Sequence, residues 1–181
     1  MKKTSIVISI VTVLAAVTLV LMANVSEEPD GAKSAKTEKI KWYTFDKGFE
    51  QAQKENKVLV VDFYTDWCHW CKVMDKETYG NKAVIDFASE NVIMAKIDAE
   101  TNKKFKFLDG KYSGRELTRK FGITGFPATV FIDSKGEPIT RVPGYIPADK
   151  FVVILKYISG NWYNKMKFDD FAKQEESKSK G

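Results

Sequence analysis

Trp67, Cys68, His69, Trp70, Cys71 and Lys72 are the stretch of this chain where residue types and spacing converge on a reaction. Cys68 and Cys71 are the only cysteines among 181 residues. Two intervening residues at the start of a helix let both sulfurs reach bonding distance. The unpaired backbone N–H groups and the helix dipole there stabilise a thiolate on the first of them. The chemistry this predicts is thiol–disulfide exchange, with a solvent-accessible Cys68 as the attacking sulfur and Cys71 displacing whatever Cys68 captures. A purely structural bridge is a poorer reading, because closing so short a loop removes little chain entropy. Haem attachment would put a histidine directly after Cys71, where Lys72 stands. A metal site is short of ligands. A copper-binding chaperone using both thiolates and the chain's single histidine, His69, stays open as an alternative, although a ring between the cysteines need not converge with them.

Such a pair needs a strand that hands over to a helix, and the flanking pattern supplies both. Val58–Tyr64 (VLVVDFY) is an apolar run broken by one acid, Asp62, as expected of a central strand covered on both faces. Upstream, Asp46 predicts the cap of a helix through about Glu55, with Phe49 and Ala52 facing inward. Downstream, a helical stretch near residues 82–89 precedes a second strand at Val92–Asp98, and residues 128–133 (ATVFID) supply a third. Ser134, Lys135, Gly136 and Glu137 predict a turn into a strand at 139–142. The helix over 148–158 carries Phe151, Leu155 and Ile158 on one face, with Gly160 just beyond. The resulting order is βαβαβ with an extra helix, then ββα, an α/β chain.

Further residues extend the motif. Asp62 lies six positions before Cys68, Lys96 stands in AKID, Pro127 in GFPAT and Gly144 in VPGY. With the CHWC pair they resemble the thioredoxin superfamily over about residues 40–160. The resemblance implies a three-layer α/β/α sandwich with a mixed central sheet and a redox-active Cys68–Cys71 disulfide needing no dissolved cofactor. It implies that Asp62 is a buried acid taking the proton of Cys71 during resolution, with Lys96 beside it. Pro127 matches the family's cis-proline, after Phe126, where the backbone pairs with a substrate strand. Gly144 matches the glycine that lets a substrate approach. Trp67, His69 and Trp70 flank the sulfurs and are expected to contact partners.

The chain also departs from the short members of that superfamily. Pro127 follows Cys68 by 59 residues, and the excess lies in residues 101–120, where seven Lys/Arg face two acids. There Ser113 and Glu116 predict a capping box opening a helix through Phe121, with Gly122 as its stop. The lysine-rich part reads as a solvated loop, with docking of an acidic partner as the alternative. The layout is similar to exported thioredoxin-like reductases and to the C-terminal domain of transmembrane thiol:disulfide interchange proteins. His69 and Trp70 replace the family's common Gly-Pro pair, which leaves the redox direction open across about 150 mV. The expected activity is reduction of protein disulfides; an oxidase or isomerase on the same fold is the alternative.

Composition sets the boundaries. Lys2 and Lys3 precede an uncharged apolar run over residues 5–25, long enough as a helix to span a bilayer core and expected to be a membrane anchor or signal segment. The basic flank places the remainder on the exported, periplasmic or extracytoplasmic side, where disulfide chemistry is at home. Residues 26–39 read as a flexible linker, 40–174 as the folded domain and 175–181 as a disordered tail. Residues 162–171 (WYNKMKFDDF) form an amphipathic addition expected to pack on the domain. A net charge of +5, from scattered lysines among acids, argues against a nucleic-acid partner. The expected partners are protein disulfides and a membrane electron donor, with the chain itself a monomer.

Overall fold

The computed structural model describes residues 39–179. The apolar run at 5–25 and all but the last residue of the expected linker lie outside them. Among the described residues no helix is long and apolar enough to cross a membrane.

A five-stranded sheet in the order β1-β3-β2-β6-β7 is built from β1 (Trp42–Thr44), β2 (Val58–Tyr64), β3 (Val92–Asp98), β6 (Ala128–Ile132) and β7 (Pro138–Pro143). The first three are parallel and the last two antiparallel to their neighbours. β2 is the middle strand, so its apolar run is buried on both faces. Leu59, Val61 and Phe63 join a core with Ala95, Ile97, Val130 and Ile132, while Val60 joins another with Met94 and Phe131. Helix α1 (Phe45–Glu55) and α4 (Gly114–Lys120) close the first core through Phe45, Phe49, Ala52 and Leu117. Helix α2 (His69–Glu77), α3 (Lys82–Asn91) and α5 (Ala148–Ser159) close the second through Met74, Val84, Ala88, Phe151 and Leu155. The result is the expected mixed sheet between two helical layers.

Register fixes which end of the sheet carries the cysteines. Val58 pairs with Val92 at one end of β2, Tyr64 pairs with Asp98 at the other, and Cys68 follows Tyr64. Ile40 lines a cavity with Val92 and Glu55. The chain therefore enters the sheet from the end opposite the disulfide.

Three elements differ from the sequence expectation. Asp46 does not cap α1. Thr44 occupies the N-cap, and Asp46 sits in the first turn, accepting bonds from the Thr44 hydroxyl at 2.6 Å and from the Lys47 N–H at 3.0 Å. The lysine-rich segment is not a loop: β4 (Lys104–Phe107) and β5 (Gly110–Ser113) form a separate antiparallel hairpin. Phe105 and Phe107 turn inward against Phe45, and Phe107 also meets Phe49, while Lys104 and Lys106 stay outside. The capping box of Ser113 and Glu116 opens α4 as expected. Finally, helix α6 (Phe168–Ser179) continues past Gln174, where disorder was expected, because Lys156 and Lys178 both pair with Glu175 and Phe171 packs on Tyr157 and Trp162.

Candidate active site

Cys68 is the N-cap of α2, and Cys71 is its third residue. The two are joined as a disulfide with Cα atoms 5.3 Å apart. The Cys71 N–H donates to Cys68 Sγ at 3.1 Å, so the sulfur takes the place of a capping oxygen at the helix start. One of the helix's unpaired donors is thereby aimed at the atom that would carry charge as a thiolate. Cys68 itself is not open to solvent in this oxidised pair: it is 4% exposed, against 5% for Cys71. The expectation of an accessible Cys68 is corrected to this extent. The exposure falls instead on Trp67 at 68% and Trp70 at 56%, with His69 exposed between them.

Those indoles belong to an aromatic rim. Trp67 meets the Phe126 ring edge-on at 6.0 Å and donates its Nε1–H to Glu100 at 3.1 Å. Trp70 lies 5.5 Å from the Tyr145 ring, whose hydroxyl donates to Glu77 at 2.8 Å. The His69 ring sits 5.8 Å from Trp70. The Phe126–Pro127 peptide is cis, and the carbonyl of Pro127 accepts from the Gly144 N–H at 2.8 Å. Gly144 has a φ of +80°, a conformation that disfavours side chains, and nothing lies within 4 Å of where a Cβ would stand.

Behind the pair, Asp62 is 2% exposed on the β2 face covered by α2. Its register neighbours are Lys96 on β3 and Thr129 on β6, so the three make one polar row across an otherwise apolar face. Burial pushes the Asp62 carboxyl up to about 6, against the opposing pull of Lys96, whose Nζ is 3.4 Å from Oδ2. Lys96 also pairs with Asp75 of α2 and lies over the rings of Trp42, Tyr64 and Tyr79. The structure thus brings Asp62 and Lys96 together, and separately groups Trp67, Trp70 and Phe126 with the disulfide. Sequence reasoning missed Asp75 and Tyr79. For Asp75 the signal was its place four residues after Cys71, which puts the two on one stripe of α2; Tyr79 stands in the turn beyond the end of that helix at Glu77 and carries no such signal. Among the described residues no group of three or more His, Cys, Asp or Glu side chains is placed to hold a metal ion.

Comparison with known proteins follows this geometry. The model of the thioredoxin-like domain matches residues 45–159, more than half of the chain. The chain belongs to the thioredoxin-like family. Among curated thioredoxin-like relatives, the thiol:disulfide interchange protein DsbD of Actinobacillus pleuropneumoniae is 29% identical over 62% of this chain and 17% of its own length. The disulfide bond reductase DsbH of Chlamydia pneumoniae is 27% identical over 60% of this chain and 64% of its own. The chain therefore spans less than two thirds of these relatives. Among solved structures, DsbH oxidoreductase superposes with a TM-score of 0.55 at 21% identity, covering 74% of this chain and 94% of that one. A putative disulphide-isomerase of Bacteroides thetaiotaomicron gives 0.53 at 28% identity, covering 65% and 89%. The first of these likenesses speaks for the fold alone.

Proposed function

We propose that this thioredoxin-like protein is a thiol:disulfide oxidoreductase that reduces protein disulfides through Cys68 and Cys71. The observation that carries the reading is the pair itself, closed as a disulfide at a helix start with a backbone N–H held on the Cys68 sulfur. In the reduced enzyme the Cys68 thiolate attacks one sulfur of the target disulfide and expels the other as a thiolate. Cys71 then loses its proton to Asp62 and attacks Cys68, releasing the second target sulfur. Two electrons pass to the target, and the Cys68–Cys71 bond forms. A dithiol donor, of which a membrane protein is the expected source, must reduce it again.

Asp62 suits the second step, because its carboxyl is buried and its affinity for protons lies near neutrality. Lys96 holds its ionised form. Trp67, His69, Trp70, Phe126, Pro127 and Gly144 form the surface on which an extended substrate would lie beside the disulfide. Reduction is favoured over oxidation by the likeness to DsbH of Chlamydia pneumoniae, a disulfide bond reductase. The apolar run at 5–25 supports export and tethering, with the protein a monomer on the extracytoplasmic face.

Insulin reduction with dithiothreitol as donor tests the reading. Cys68→Ser should abolish turnover, and Cys71→Ser should accumulate a mixed disulfide between Cys68 and insulin. Full turnover by Cys68→Ser, or rearrangement of scrambled disulfides without net reduction, would contradict it.

A further inference from the structure

Tyr79 is a costly residue where it stands. It is 4% exposed, and its ring packs edge-on against Trp42 at 4.9 Å and Phe151 at 5.5 Å. Phenylalanine would fill the same space without burying a hydroxyl. That hydroxyl has no hydrogen-bond partner among the described residues, and a buried orphan of this kind costs folding free energy. Among the described residues three more buried oxygens share the condition, Oγ1 of Thr65, Oδ1 of Asp62 and Oγ1 of Thr129, and the last two bear on Tyr79. Asp62 and Thr129 are register neighbours on β2 and β6, and the Tyr79 hydroxyl faces both. One carboxylate acceptor and two hydroxyl donors, each unpaired, are therefore collected at one point. A small rotation, or one trapped water with these polar neighbours, satisfies all three.

We infer that Tyr79 is a positioning residue for the resolving step, supplying, with Thr129, the hydrogen bond that Oδ1 of an ionised Asp62 lacks. The inference rests on the proposed role of Asp62 as acceptor of the Cys71 proton. Lys96 covers Oδ2 at 3.4 Å, and the Tyr79 ring also lies 5.5 Å from the Lys96 ammonium. Tyr79 thus acts on both partners of the ion pair. A protonated Asp62 carries its own hydrogen and needs no second donor, whereas the carboxylate does. The hydroxyl therefore favours the form that can accept the thiol proton. Its own O–H bond stays intact throughout, because burial and the Asp62 charge hold its ionisation well above the ordinary phenol range. The charged and titratable groups that face Asp62 are Lys96 from β3, Asp75 from α2, Tyr64 from its own strand and Tyr79 itself; β6 presents the neutral Thr129.

The test uses the full chain, reduced, mixed with the aromatic disulfide dithiobis(nitrobenzoate). Attack by Cys68 releases one nitrothiolate in a bimolecular phase, and displacement by Cys71 releases a second in a unimolecular phase, so the steps are read apart. Tyr79→Phe keeps the ring and its packing. It should move the pH midpoint of the second phase upward by about one unit and slow that phase about tenfold below the midpoint, a typical effect for losing a hydrogen bond to a charged group. The first phase should change less than about twofold, well under that tenfold effect. An unmoved midpoint in Tyr79→Phe, with the pH-dependent limb lost in Asp62→Asn, would overturn the role of Tyr79 alone. A limb that survives Asp62→Asn would overturn the proposed base and this inference with it. Should Tyr79→Phe fail to fold, Thr129→Val takes the same readout, with an upward shift expected and an unmoved midpoint counting against the cage.

Discussion

A carboxylate in the middle of a five-stranded sheet works against the fold that holds it. Asp62 is protonated more readily in the native protein than its ordinary value of 3.8, with burial as the leading cause. The native state therefore binds a proton that the unfolded chain has released, and stability falls as pH rises from about 4 through about 6. Asp62→Asn should be more stable than the parent above pH 7, by about 3 kcal/mol at most, and the gain should vanish below about pH 4. Urea titrations at both pH values check this; a variant less stable at neutral pH would mean that the Lys96 pair outweighs the burial. At this scale Asp62 was readable, because a lone acid in an apolar strand has few innocuous explanations. Tyr79 was not, since a phenol in a core pattern looks like any other aromatic until its hydroxyl is seen without a partner. The exposure of Cys68 was misjudged for a related reason. Spacing locates a sulfur at a helix start but does not give its exposure, which is 4% for Cys68 in the closed pair.

Strands and helices were legible wherever one period ran unbroken. Val58–Tyr64 and Val92–Asp98 were found with their observed bounds, since each is a run buried on both faces. The β4–β5 hairpin was missed although KFKF alternates with period two and Asp109-Gly110 is a turn signal. Its lysines outweighed that alternation, because a four-residue strand offers only two inward positions. Those positions matter. Phe107 is 1% exposed and stacks edge-on with Phe45 and Phe49, so Phe107→Ala should cost about 3–5 kcal/mol in thermal or urea unfolding. A loss below about 1 kcal/mol would show the hairpin to be an ornament rather than part of the core. The end of α6 was missed because its polar residues lack a helical apolar face, and the ion pair of Glu175 with Lys156 comes from tertiary placement, the pair with Lys178 being local to the helix.

The described domain separates the end where its chain enters from the end that carries the cysteines. The chain enters at the foot of the parallel strands, and β2 delivers Asp62 into the middle of the sheet and the cysteines to the far edge. An aromatic rim with carboxylate-anchored Trp67 and Tyr145 surrounds the disulfide there. This arrangement asks for two unlike sulfurs once the bond is reduced. One sits at the helix cap with an N–H on it, and the other lies inside the first turn beside the sheet. Alkylation of the fully reduced protein with iodoacetamide across pH, with each cysteine followed by peptide mass, compares them directly. Cys68 should react first, with a midpoint below the ordinary thiol value of about 8.5, while Cys71 stays protected. Equal reactivity of the two, or an inert Cys68, would contradict the assignment of Cys68 as the attacking sulfur.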